Sequence, residues 1–156
     1  MPISATRTRV LLVDDEVVVR AGLRLLIDSW PTLQVTGEAD TPAEALVSMA
    51  TAKPNLIVCS YTAARGAFLS DLRVVVEQAD EIPVVVLTSS RHPQAGSTAL
   101  QVGVNCVISK KHTAVDLRQA LEKLCVRGNG ASKRQSADKS SVVASTEPVR
   151  RLKTRT

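Results

Sequence analysis

Short apolar runs alternate along the chain with longer stretches in which apolar residues return every three or four positions, and this continues to about residue 126. Val10-Leu11-Leu12-Val13 is continuous and ends in two aspartates, as a strand buried on both faces does when it leaves the core. The next stretch carries Val18, Ala21, Gly22, Leu25 and Leu26 at helical spacing, while Glu16 and Arg20, and Arg24 and Asp28, stand four apart on the other side. An amphipathic helix with that apolar face is expected, ending near Trp30-Pro31 because proline cannot continue it. A second strand is expected from Gln34 to Ala39. Thr41-Pro42-Ala43-Glu44 then supplies an N-cap, a first-turn proline and a capping-box acid for a helix through Leu46, Met49 and Ala50.

Lys53-Pro54 stops that helix and launches a third strand, Asn55-Leu56-Ile57-Val58-Cys59-Ser60. Phe68, Leu72, Val75, Val76 and Ala79 repeat at helical spacing, and Pro83-Val84-Val85-Val86-Leu87-Thr88 is a fourth strand. The segment from Pro93 to Val102 is a weaker helix, because Gly96, Ser97 and Thr98 are poor helix formers. Val107-Ile108-Ser109 is the fifth strand. Thr113 and Asp116 cap a last helix whose apolar face is Leu117, Ala120, Leu121, Leu124 and Cys125, with Arg118 and Glu122 on a polar side.

Strands alternating with helices in this way imply an α/β fold, a doubly wound five-stranded parallel sheet with five helices and right-handed crossovers. Ligands of such sheets gather at the carboxyl ends of the strands. From Arg127 the pattern stops and small, polar and basic residues take over, the composition of a disordered tail. The expected organisation is a folded domain over residues 8–126 and a basic tail over 127–156.

Composition sharpens this picture. With 44% hydrophobic but only 2% aromatic residues in 156, the core must be built from Val, Leu, Ile and Ala. Residues 1–126 hold 12 Lys and Arg against 13 Asp and Glu, a balance of −1, and residues 127–156 hold 8 against 2, a balance of +6. The basicity belongs to the tail. Cys59, Cys106 and Cys125 are odd in number, lack metal or redox spacing, and are expected as small buried hydrophobes. No apolar run is long enough for a membrane span, and no apolar signal segment precedes the first strand, so a cytoplasmic protein is expected.

Candidate chemistry sits at the strand ends: Asp14 and Asp15 after the first, Ser60 at the end of the third, Thr88 at the end of the fourth and Lys110 after the fifth. In order and spacing these positions resemble the receiver domain of bacterial two-component response regulators, a flavodoxin-like fold, over about Arg9 to Val126. Segments such as Val13-Asp14-Asp15-Glu16, and the absence of proline after Lys110, are similar to the NarL/LuxR-type branch. The resemblance implies that the acidic pair holds a divalent cation, that a Thr or Ser contacts a bound phosphoryl group, and that a Lys stabilises its charge. It also implies an aspartate as the phosphoryl acceptor, and here that position is Ser60.

The departure matters chemically. A carboxylate is already ionised and attacks in line beside a metal, whereas a serine hydroxyl must lose a proton, and the motif supplies no base, since His92 and His112 belong to loops. Replacing a charged ligand by a hydroxyl leaves magnesium with Asp14, Asp15, a backbone carbonyl expected at Thr62, and water, so weak or absent binding is expected and no cofactor is assigned. Val107 stands where the family carries a switching aromatic residue, and the loop Tyr61-Thr62-Ala63-Ala64-Arg65-Gly66 lacks the proline common there. These departures imply an atypical or pseudo-receiver that binds a signalling protein or a second copy of itself independently of phosphorylation. The expected surface is the fourth helix, fifth strand and last helix, with Arg118 and Lys123 exposed on it.

Two other classes compete. A truncated NarL-type transcriptional regulator would contact nucleic acid nonspecifically through the basic tail, with steep salt dependence, and a phosphorelay regulator would be modified at another residue. An enzyme is not expected, because the chain lacks a phosphate-cradling glycine loop, a nucleophile elbow or a metal-ligand cluster beyond the acidic pair.

Overall fold

The computed structural model describes residues 6–61, 67–89 and 94–128. The expected tail, 127–156, lies almost wholly outside the described residues, as do residues 62–66 and 90–93, Thr62 and His92 among them.

Five strands, β1 (Thr8–Val13), β2 (Leu33–Ala39), β3 (Leu56–Ser60), β4 (Val84–Thr88) and β5 (Cys106–Ser109), form one parallel sheet in the order β2-β1-β3-β4-β5. The helices between and after them are α1 (Val17–Asp28), α2 (Pro42–Ala52), α3 (Phe68–Ala79), α4 (Ala95–Val102) and α5 (Ala114–Gly128). The expected doubly wound architecture is present, and its switch point lies between β1 and β3, the strands that end at Asp14 and Ser60.

Successive strand residues feed opposite layers. Leu11, Val13, Ile57, Cys59, Val84, Val86 and Val107 join a core with α2, α3 and α4. Val10, Leu12, Leu56, Val58, Val85, Leu87 and Ile108 join a second core with α1 and α5. Continuous β-branched and leucine runs are required because both pleat faces are covered.

Local signals explain the helix ends. Thr41 Oγ1 accepts from the Glu44 amide at 3.2 Å and Glu44 accepts from the Asp40 amide at 3.0 Å, so α2 starts where a capping box places it. Thr113 and Asp116 exchange the same kind of bonds, 3.2 Å from the Asp116 amide to Thr113 Oγ1, at the start of α5. The weak helix α4 ends at Val102, as expected, and is capped by Gly103, whose φ of 108° suits glycine. A Cβ at Gly96 would meet Val107 Cγ1 at 3.2 Å, so glycine there lets α4 lie close on β5.

Helix α1 corrects the sequence expectation. Val18 and Leu25, expected on its packed apolar face with Ala21, Gly22 and Leu26, are 85% and 75% exposed, and Ala21 and Gly22 are exposed too. The buried side is Val19, Leu23, Leu26 and Ile27. Almost every α1 position is apolar, so the period alone does not fix its rotation; Arg20 does. Its guanidinium is drawn inward to the Asp14 carbonyl and the Asp40 carboxylate and lies 3.4 Å from Glu38, instead of turning outward to Glu16. Arg24 keeps its expected partner Asp28 at 3.7 Å and adds Glu38 on β2.

Candidate functional site

Strand register builds the site. Val13 lies beside Cys59, Ser60 beside Leu87, and Thr88 beside Ser109, so the next side chains along β1, β3, β4 and β5 emerge together at one sheet edge. Asp14 and Ser60 are 2% and 3% exposed, and Thr88 is buried near them in sequence register. The backbone is tied across this edge by Tyr61 N to Leu87 O at 2.8 Å and Lys110 N to Thr88 O at 2.7 Å. Tyr61 also sets its ring edge-on to Phe68, with centroids 5.2 Å apart, at the start of α3.

The central contact is a hydrogen bond from Ser60 Oγ to Asp14 Oδ2 at 2.5 Å. The other oxygen, Oδ1, accepts the Glu16 amide at 2.8 Å, and Lys110 Nζ stands 3.8 Å from Oδ2. Both oxygens of the buried carboxylate are thus satisfied within the chain, as a buried charge requires. Asp14 turns the chain into α1 but does not cap it; the cap residue is Glu16, which makes no side-chain capping bond.

Asp14, Asp15 and Glu16 bring carboxylate oxygens within 4.8 Å of one another. Magnesium would require oxygens free to complete an octahedron. At Asp14 Oδ2 a cation would share its ligand with the Ser60 proton and stand against the Lys110 charge, which suits it poorly. Beside the site, the Cys59 thiol is pushed far above its ordinary value, first by burial and then by the Asp14 and Asp15 carboxylates, so it stays protonated and is no nucleophile.

Asp14, Asp15, Ser60, Thr88 and Lys110 are therefore brought to one edge, and Thr62 lies outside the described residues. Sequence reasoning missed two contributors. Glu16 follows the acidic pair directly and could have been found as a third carboxylate. Arg20 grips the Asp14 carbonyl, whereas its spacing from Glu16 predicts only a pair on the polar side of α1.

The expected interaction residues differ from each other. Lys123 is exposed, but Arg118 is half-buried and bonds Glu122 at 2.9 Å, and Glu122 also accepts from Thr32 Oγ1 at 2.6 Å. Arg118 is thus paired within α5 and, through Glu122, tied to the segment before β2, with its side chain 40% exposed. Among the described residues the large exposed hydrophobics lie on α1, α2, α3 and α5, with none on α4.

Residues 10–122 match the family described as the response regulator receiver domain. A protein-glutamate methylesterase/protein-glutamine glutaminase of Cereibacter sphaeroides is 35% identical over 120 residues, covering 74% of this chain and 32% of that protein. The DNA-binding transcriptional activator DevR/DosR of Mycobacterium tuberculosis is 30% identical over 114 residues, covering 73% of this chain and 52% of its own length. The chain thus spans about a third to a half of these relatives. Among solved structures, a LuxR-family two-component response regulator from an Aurantimonas species superposes with a TM-score of 0.69 at 24% identity, covering 78% of this chain and 86% of that one. The response regulator domain of Thermotoga maritima CheB superposes at 0.63 with 27% identity, covering 81% and 100%. No helix among the described residues is long and apolar enough to cross a membrane.

Proposed function

Because the chain belongs to the response regulator receiver domain family, we propose that it is an atypical receiver of the NarL/LuxR type, a signalling module that works without phosphorylation at Ser60. The observation that carries this is the buried Ser60 hydroxyl donating to Asp14 at 2.5 Å. Where phosphoryl transfer needs an ionised nucleophile and a bound metal, this edge offers a neutral hydroxyl and a carboxylate already satisfied by the chain itself. A serine phosphate, being a stable ester, would also not reset as an acyl phosphate does.

In this role Asp14, Asp15, Thr88 and Lys110 are a structural remnant of a phosphoryl pocket, and Lys110 replaces the cation as the positive charge beside Asp14. Magnesium binds weakly or not at all. The module acts in the cytoplasm by holding a partner signalling protein or a second copy, and it carries no enzymatic activity. Lys123 is the exposed α5 charge that such a contact would meet. The +6 balance of residues 127–156 would allow no more than a nonspecific, salt-dependent contact with nucleic acid phosphates.

Incubation with acetyl phosphate and magnesium, followed by intact mass measurement, tests the proposal. The mass is expected to stay unchanged. A phosphate mapped to Ser60 overturns it, and one mapped to another residue makes the chain a phosphorelay regulator with a displaced acceptor.

A further inference from the structure

Helices α1 and α5 do not close over the sheet between them. Val19 and Leu23 form one wall of a cleft of about 210 Å³, Ala114 and Leu117 form the other, and Leu87 and Ile108 form the floor. The cleft is larger than the roughly 150 Å³ apolar cavity that holds a benzene molecule. Its lining is mostly apolar, and the charged groups on its rim are the cation Lys110, 3.8 Å from Asp14, and the ionisable His112, whose Nδ1 lies 3.8 Å from the Asp116 carboxylate.

We propose that this cleft binds a small amphiphile with an anionic head, an aliphatic carboxylic acid of about eight carbons in the fragment-sized range. The alkyl chain lies between α1 and α5 on Leu87 and Ile108, where it removes apolar side chains from water. The carboxylate sits at the Lys110 end. Lys110 has three N–H donors, and at 3.8 Å from Asp14 its ammonium is beyond hydrogen-bond distance from that partner, so it serves a second carboxylate without leaving the first. A cationic head meets like charge at that rim, and a neutral one gains no charge-assisted bond.

The site also has a route to the rest of the fold. Leu87 precedes Thr88, and Ile108 is two residues before Lys110, so an occupant of the cleft presses on the strand ends that carry the receiver remnant. As an input replacing phosphorylation, the cleft rests on the function proposed above; as a binding site, it does not.

The test is a titration of the full chain with octanoate, followed by amide NMR, with octylamine and acetate as controls. Octanoate is expected to shift the amides of Leu23, Ile108 and Ala114 saturably, with a dissociation constant on the order of 10⁻⁴ M. Octylamine should bind at least about tenfold more weakly, and Lys110→Met should lower octanoate affinity by about tenfold, the scale of one charge-assisted hydrogen bond. Ala114→Trp, at an exposed position on the rim, should fill the cleft and abolish binding while the melting temperature is kept. Non-saturable shifts, equal binding of octylamine, or full octanoate binding by Ala114→Trp overturns the proposal. So does protection of the cleft only by a second copy or a protein partner. Failure here leaves the acetyl phosphate result untouched, so the two proposals fall separately.

Discussion

Placing a carboxylate at position 60 by Ser60→Asp should make the stability of the fold depend on a divalent cation. Ser60 Oγ lies 2.5 Å from Asp14 Oδ2 in a site where both residues are almost fully buried. An aspartate there exchanges a hydrogen-bond donor for a second negative charge that can retreat only to about 4 Å, where two unit charges repel by about 4 kcal/mol at an effective dielectric constant of about 20. Lys110, 3.8 Å from Asp14, offsets part of this. A net loss of about 2–3 kcal/mol corresponds to a melting temperature lower by about 8–12 °C for a domain of this size. Magnesium at about a hundred times its dissociation constant returns about 2.7 kcal/mol, enough to erase the deficit. Thermal melts of both proteins with and without 10 mM-range magnesium, on the order of that saturation, read the effect. The parent should be indifferent to the cation and the variant rescued by it. A variant as stable as the parent without magnesium, or a parent stabilised as strongly as the variant, refutes the electrostatic reasoning.

Gly37→Ala should cost about 1–3 kcal/mol in urea unfolding, because a Cβ there meets Ala52 Cβ at 2.6 Å and Leu11 Cδ1 at 3.2 Å. Ile27→Ala should cost about 2–5 kcal/mol and Leu25→Ser less than about 0.5 kcal/mol; the reverse order would restore the helix face expected from sequence. The Glu122 carboxyl is held below its ordinary value, first by the Thr32 hydroxyl and then by Arg118. A depressed acid stabilises the fold above its unfolded value and loses that contribution as pH falls through the folded one, so Thr32→Val should lose stability relative to the parent at neutral pH, with the difference shrinking on acidification. A difference that grows toward acid would show that Glu122 is not the linked group.

Most of the fold was legible because buried parallel strands are written as continuous aliphatic runs and the capping residues around Thr41 and Thr113 are local signals. The spacing of Asp14, Ser60, Thr88 and Lys110 was enough to place them at one edge, since each follows or closes a strand. Helix α1 was less legible for a physical reason. Its sequence is apolar nearly all round, and the contacts that fix its rotation, Arg20 to the Asp14 carbonyl, Glu38 and Asp40, are tertiary. The same holds for Arg118, whose spacing to Glu122 was visible but whose tie through Glu122 to Thr32, ninety positions away, was not. The α1–α5 cleft is invisible in sequence because it arises from how two helices sit on the sheet, not from either helix alone.

The most direct test of a receiver that works without phosphorylation at Ser60 is the amide spectrum of the intact chain before and after addition of magnesium and beryllofluoride, which together mimic a bound phosphoryl group. At position 60 the mimic meets a hydroxyl that donates to Asp14 and not a carboxylate oxygen to complete its coordination. The expected result is an unchanged spectrum at Thr88, Lys110 and along α4 and β5. Saturable shifts of those amides would contradict it, showing that this edge still binds a phosphoryl group and still answers to it.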